Sequence, residues 1–492
     1  MSFAQSRLWF LEQLQGPSAV YNIPAVLQLD GPLDADALEA ALGDVITRHE
    51  TLRTRFDTIE GIGYQHICDP DELKVPWHTV DARGFTPEQV EAALGDAVGY
   101  CFDLSCEIPI RATLLHTGPN RHVLVLLVHH IAADGWSLGP LARDLNLAYT
   151  ARLAGAAPTW TPLAVQYADY TLWHHHLLGD PADPDSRLAT ELAYWEHTLA
   201  GLPDRLELPT DRPYPPVADY RGATLDFGWP AELTREIHTL ARTQQVSPFM
   251  VIHAALAVVL STLAGTDDVA IGVPTAGRTH PGLDDLIGFF VNTLILRTPL
   301  HHHNTPTELL AQIRTRSLQA FEHQHTPFEL LVERLHPTRS RTHHPLIQVI
   351  LAYQNLPWTH PGTSDTRRLG EADITTHPVS TGTARMDLVL SVSETVDQHG
   401  APTLTGTVEY RTDVYDPATI NTLLTRWQHT LHTFTTHPDT PLHTLDLLTP
   451  LEHTHLHTWG NHRTLHTPPP APPVSIPQVF AARVAAHPTH QP

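Results

Sequence analysis

Cysteine is scarce in this chain of 492 residues: Cys68, Cys101 and Cys106 are the whole complement. An odd number, with no CxxC or paired ligand spacing, excludes a disulfide framework and predicts a reducing compartment. Positive charge is thin as well. Lys and Arg number 30 against 53 Asp and Glu, a formal charge of -23, and no basic run exists to hold a phosphate backbone, so nucleic-acid binding is not expected. The longest apolar stretches, such as Ala254 to Leu260, fall well short of a bilayer crossing. No basic segment followed by an apolar core and a cleavage site opens the chain, which leads to the expectation of a cytoplasmic protein with no membrane partner. Histidine, in contrast, is abundant at 36 residues and clusters at His174-His175-His176 and His301-His302-His303. Neither cluster has regular metal-ligand spacing, so both read as solvated surface and no metal site is expected.

The length favours two or three domains. Strand-like Ala25 to Leu29 and the Gly31-Pro32 turn precede Leu38, Leu42, Val45 and Ile46 at helical spacing. The apolar run Val123 to Val128 is followed, past Gly135, by Leu138, Leu141, Leu145 and Tyr149 on one helical face. Between about residues 176 and 220 the chain is rich in Asp, Pro and Gly, with one helix-like piece at Leu192 to Leu199, and reads as a passage between two lobes. Beyond it come an apolar helix, Phe249 to Leu263, and strands at Val269 to Gly272, Val291 to Leu296 and Leu388 to Val392. A last helix aligns Ile420, Leu424, Trp427, Leu431 and Phe434. This alternation predicts α/β lobes over 1–175 and 176–450. From Thr464 a proline-rich spacer, including Pro468 to Pro470 and Pro472-Pro473, leads to a short helix, so 451–492 reads as a linker and the start of a further domain.

The densest chemistry is His129-His130-Ile131-Ala132-Ala133-Asp134-Gly135-Trp136-Ser137, placed where the buried run Val123 to Val128 stops. Groups that act on substrates concentrate at such strand ends. Adjacent strand residues point to opposite faces, so His130 is the active candidate and His129 its support. The same geometry disfavours a His/His/Asp metal centre. Asp134 reads as architectural, and Arg53, set between apolar neighbours rather than in a charge run, is its expected cation. Gly135 is expected to supply a sharp turn where a side chain would intrude on reacting groups.

These residues fall within a longer series. Ser2 to Leu11, Arg48 to Phe56, His129 to Ser137, Tyr167 to Tyr170, Ile287 to Thr293, His323 to Glu329 and Arg339 to Leu346 stand in the order of the signatures of nonribosomal peptide synthetase condensation domains, which this chain strongly resembles. The resemblance implies two chloramphenicol-acetyltransferase-like lobes forming a V-shaped pseudo-dimer with a central tunnel, and His130 at mid-tunnel. It implies an amide bond made between a donor peptidyl or aminoacyl thioester and an acceptor aminoacyl amine. Both would arrive on the phosphopantetheine of carrier proteins, upstream donor and downstream acceptor, with no cofactor bound by the domain itself. Asn292, Phe289 and Phe290 would form the signature strand entering the tunnel, while Tyr167 and Asp169 read as packing.

Trp136-Ser137 departs from the order usual in epimerising relatives, and the DxxxxD pattern of heterocyclising ones is absent. His343-His344-Pro345-Leu346 stands where the family has an arginine, which removes the salt bridge that arginine makes. Ser475 to Phe480 resembles the opening of an adenylation domain, an expected neighbour, and the chain reads as a piece of a larger synthetase. Two other readings stay open at this point: a catalytically silent platform for carrier proteins, and a stand-alone HxxxD acyltransferase.

Overall fold

The computed structural model describes residues 1–301, 303–335, 342–354, 368–377, 379–396, 400–461, 465–467 and 474–487. Residues 339–341 of the last signature and the prolines at 468–473 lie outside these ranges. Residues up to Leu445 form one compact unit and Asp446–Pro492 a second.

The first sheet takes β1 (Asn22–Asp30), β4 (Trp77–Asp81), β5 (Ile110–Gly118) and β6 (Arg121–His129), while the hairpin of β2 (Thr54–Ile59) and β3 (Ile62–Ile67) stands apart as a two-stranded sheet. β6 runs antiparallel to β1 and β5 on either side, with Leu27 opposite Leu124 and Leu114 opposite Leu124. Every residue from Val123 to Val128 is buried, so the continuous apolar run is a strand covered on both faces, as its composition predicts. Leu38, Leu42, Val45 and Ile46 are buried on the helix Ala35–Arg48, which begins where the Asp34 carboxylate accepts the Ala37 N–H. Leu141, Leu145 and Tyr149 are buried on the helix Leu138–Leu153 in the same core.

The second sheet comprises β7 (Gly222–Trp229), β8 (Asp268–Thr275), β9 (Asn292–Pro299), β10 (Val349–Gln354), β13 (Leu388–Val396) and β14 (Pro402–Arg411), in the order β7-β14-β13-β10-β8-β9. It backs on the helix Pro248–Ala264, an apolar helix whose residues Val251 to Ser261 are all buried. Ile420, Leu424, Trp427, Leu431 and Phe434 are likewise all buried on the helix Pro417–Thr436. Both sheets mix parallel and antiparallel neighbours. Two short strands between β10 and β13, β11 (Arg368–Leu369) and β12 (Ala372–Thr376), leave the second half and extend the first sheet. There Leu27 pairs with Thr376 and Asp30 with Asp373. A division at residue 176 does not capture this exchange, because strand pairing at a sheet edge is set by backbone hydrogen bonds that leave no local pattern in the letters.

The second unit contains the helices Pro450–Trp459 and Ile476–Ala486, neither with a buried residue. Among the described residues no single helix is long and apolar enough to cross a membrane.

His253 lies inside the helix Pro248–Ala264 with no exposed surface, and neither ring nitrogen has a hydrogen-bond partner. Burial pushes its pKa down to about 4. An unfolded histidine titrates near 6.5, so the folded state is favoured above that value and loses stability as pH falls toward about 4. His253→Leu removes two unsatisfied buried nitrogens and should stabilise the fold by about 1–3 kcal/mol. Its gain in thermal midpoint should be larger at about pH 5 than at about pH 8; an equal gain at both would show that the ring does not contribute to acid lability.

Candidate functional site

His129 is the last residue of β6 and His130 the first beyond it. The β1–β6 pairing carries one step past the strand, where the His130 N–H donates to the Tyr21 carbonyl at 2.8 Å. His129 turns inward. It is 2% exposed, its Nδ1 accepts the Ile131 N–H at 3.2 Å, and Phe102 packs edge-on to its ring at 6.0 Å. Burial pushes its pKa down to about 3. It is a packed, neutral support, in the position that strand alternation predicts.

His130 faces the other way and is half-buried, with its ring 4.7 Å from that of Phe289 in the second half. Burial first, and the nearby Arg385 charge second, push its pKa down to about 3. The ring is therefore neutral at neutral pH, and its Nδ1 is buried with no hydrogen-bond partner. An imidazole nitrogen left unpartnered in a protein interior is an open acceptor or donor position. Earlier signatures hold the loop that follows: Gln5 Nε2 donates to the Ile131 carbonyl at 3.2 Å and Thr51 Oγ1 to the Ala132 carbonyl at 3.3 Å.

Asp134 is buried and takes its cation from the second half. Its Oδ1 lies 3.3 Å from Arg278 Nη2, and the two side chains are 3% and 2% exposed. Oδ1 also accepts the Ser137 N–H (2.9 Å), and Oδ2 accepts the Phe290 N–H (3.0 Å). The Ser137 hydroxyl proton lies between Asp134 Oδ1 (2.8 Å) and the Gly288 carbonyl (3.0 Å), while its oxygen accepts from Gly288 N–H and Arg278 Nη2, both at 3.1 Å. Arg278 completes the knot by donating to the Leu283 and Leu286 carbonyls and lying over the Phe290 ring at 4.1 Å. Burial lowers the Arg278 pKa, with Asp134 opposing the shift.

The expected partner, Arg53, is elsewhere. It sits in the 3-10 turn Glu50–Arg53, where Nη1 donates to the Cys68 carbonyl at 2.5 Å and Nη2 lies 3.5 Å from Glu50. It braces the β2–β3 hairpin. The actual partner, Arg278, stands between Gly277 and Thr279 just past β8, 144 residues beyond Asp134, and that sequence distance hid it.

Gly135 also departs from expectation. Its φ is not in the left-handed region, and a Cβ built there meets nothing within 4 Å. The turn does not demand glycine; the residue is exposed and borders open space, with half-buried Trp136 beside it. The glycines the site does require are Gly277 and Gly288. Gly277 has φ +66°, and its Cβ would stand 1.8 Å from the Phe290 carbonyl oxygen. A Cβ on Gly288 would meet the Tyr167 ring at 2.3 Å.

Asn292 is a brace. Its Nδ2 donates to the Gln324 and Thr326 carbonyls (2.9 and 2.7 Å) and its Oδ1 accepts the Phe328 N–H (3.1 Å), fixing the sixth signature against β9. Asn292 and Phe289 line an open cleft together with Ser2, Trp173, His174 and His325. His174 is thus not the solvated surface residue its cluster suggested; it stacks on Tyr170 at 5.3 Å, and burial lowers its pKa to about 4. Tyr167 packs as expected, its hydroxyl 2.6 Å from the Phe289 carbonyl and 3.0 Å from Ser2 Oγ. Where the seventh signature lacks its arginine, buried Asp387 is paired by Arg411 at 3.0 Å, and His344 accepts from Arg7 at 2.5 Å. Among the described residues no group of His, Cys, Asp and Glu could hold a metal ion.

Comparison with known proteins bears on what this arrangement is. The family model described as condensation domain matches residues 1–457. The chain is 48% identical over 489 residues to the isonitrile lipopeptide synthase of Mycobacterium tuberculosis, covering 99% of this chain and 19% of that protein. It is 44% identical over 462 residues to a dimodular nonribosomal peptide synthase of Bacillus subtilis, covering 93% of this chain and 19% of that protein. The chain thus spans 19% of the length of each of these two relatives. Among solved structures, the X-domain from teicoplanin biosynthesis superposes with a TM-score of 0.83 at 30% identity, over 91% of this chain and 97% of that one. The first condensation domain of the CDA synthetase superposes with a TM-score of 0.73 at 21% identity, over 91% and 98%, a likeness in fold alone. An HHxxxDG loop locked to the second of two mixed sheets, on this fold and within these relatives, places the chain in the condensation-domain family of nonribosomal peptide synthetases, with its chloramphenicol-acetyltransferase-like two-lobed fold.

Proposed function

We propose that the domain joins a donor peptidyl or aminoacyl thioester to the amine of an acceptor aminoacyl thioester, each delivered on the phosphopantetheine arm of a carrier protein, along a tunnel between the lobes that passes His130. The observation that carries this reading is the neutral His130 ring, its Nδ1 unpartnered, where the first half meets Phe289 of the second. The amine nitrogen bonds to the thioester carbon, the carbon–sulfur bond breaks, and the proton lost by nitrogen ends on the departing sulfur. The products are one amide and one thiol.

Magnitudes set what His130 has to do. A free α-amine titrates near pH 8, so at neutral pH about a tenth is already unprotonated, a penalty of only about 1.4 kcal/mol. Orientation of two tethered reactants can supply about 7–11 kcal/mol. A ring pushed down to about 3 is a weak base, so His130 serves by accepting a hydrogen bond from the attacking amine and relaying its proton after attack. Asp134 takes no part in proton transfer; with Ser137 it fixes the loop and the second lobe. Gly135 leaves open space for the reactants, and Trp136 flanks it.

The platform reading draws on the X-domain likeness, since that X-domain has also been solved in a complex with OxyB. His130 with an open nitrogen favours catalysis over docking alone. The decisive assay loads two carrier proteins with defined aminoacyl groups and follows the dipeptidyl carrier by intact-protein mass spectrometry. His130→Ala should lower the single-turnover rate on the order of 10²-fold with an unchanged thermal midpoint; undiminished product would remove His130 from the chemistry. Asp134→Asn should cost about 3–5 kcal/mol of stability because it strands the buried Arg278 charge. Asp134→Asn with Arg278→Met should recover part of that loss in denaturant melts, and strict additivity of the two single losses would contradict the pairing.

A further inference from the structure

An exposed arginine of the second half lies over an aromatic ring of the first. Arg385 lies between β12 and β13, where Ala384 donates its N–H to the Tyr220 carbonyl at 2.8 Å and Thr383 bridges to Arg221. From this second-half position its guanidinium reaches over Tyr21, 5.6 Å from the ring centre. Tyr21 is the residue whose carbonyl holds the His130 N–H. The Arg385 side chain makes no hydrogen bond or ion pair among the described residues, and it is exposed to water.

Its charge acts on His130, Tyr21, His344 and Glu409. Glu409 is the carboxyl among them. It is half-buried, burial raises its pKa, and it accepts the backbone N–H of Arg385, so it is poorly placed to neutralise the guanidinium. Within a chain of formal charge -23, a cation with no side-chain ion pair among the described residues, acting on the His130 imidazole with its unpartnered Nδ1, is a specific local choice. An arginine stays charged at any working pH.

We propose that Arg385 stabilises the oxyanion that forms on the donor carbonyl when the acceptor amine adds to the thioester beside His130, an inference that rests on the condensation reading. As the nitrogen–carbon bond forms, the carbonyl π pair moves onto oxygen. That negative charge exists only until the carbon–sulfur bond breaks and the pair returns, so a cation reserved for it acts on the transition state and not on the resting substrate. The same fixed charge discourages a proton from resting on His130, which directs the proton onward to the departing sulfur. Tyr21 lies under the guanidinium and holds it at the first lobe.

The test uses the full chain and two pantetheine-linked probes: an anionic tetrahedral phosphonamidate, and the uncharged planar amide of the same residues. Arg385→Met should weaken phosphonamidate binding by ~10²-fold and slow single-turnover amide formation comparably, while amide binding, carrier KM and thermal midpoint stay unchanged. Arg385→Lys should retain most of the phosphonamidate affinity, because the charge is kept. Equal losses for both probes, or none for the phosphonamidate, overturn the assignment and leave Arg385 as a structural clamp on Tyr21. A wild-type protein that binds the phosphonamidate through Arg385 yet makes no amide would overturn the condensation reading while sustaining an anion site here.

Discussion

The arrangement depends on one buried ion pair, Asp134 with Arg278, whose partners belong to different halves of the chain. A carboxylate this deeply buried is tolerable only if its lone pairs are filled, and here they accept Ser137 N–H, the Ser137 hydroxyl, Phe290 N–H and a guanidinium. Because Ser137 also exchanges hydrogen bonds with both polar groups of Gly288, the loop carrying His130 and the loop entering β9 cannot move apart independently. The position of Phe289 against His130 follows from that lock. Neighbouring contacts reinforce it: Arg143 of the first half bridges to Asp285 of the second while also touching Asp144, and β12 of the second half pairs with β1.

Burial shapes the chemistry as much as contact does. His129 and His130 are both held neutral by desolvation, but only His130 has a buried ring nitrogen, Nδ1, without a hydrogen-bond partner. On the proposed reading, an uncharged hydrogen-bonding ring stands where tethered substrates meet, and alignment outweighs strong basicity, in keeping with a nucleophile that is already partly unprotonated near neutral pH.

Much of the fold was legible because burial imposes periodicity. The run Val123 to Val128, the face Ile420 to Phe434 and the helix after Ser247 all announce themselves by spacing, and the structure places each as its pattern requires. The opposite facings of His129 and His130 followed from strand alternation. Gly135 failed as a backbone requirement because its φ is ordinary and its Cβ direction is open. Arg53 failed as the partner of Asp134 because the cation comes from a residue 144 positions away. The same holds for Asn292, whose role as a brace depends on carbonyls of a turn 32 and 34 residues later.

The sequence by itself determined which segments become strands and helices, where the polar loop interrupts the apolar strand, and which family shares that order of signatures. These are properties of local spacing, which survive in a string of letters. Only the tertiary structure decided that Arg278 neutralises Asp134, that Gly277 and Gly288 are the glycines that cannot change, and that Arg385 arrives beside His130. Charge pairing and close approach depend on distance in space, and the two six-stranded sheets bring together residues whose separation along the chain carries no trace of it.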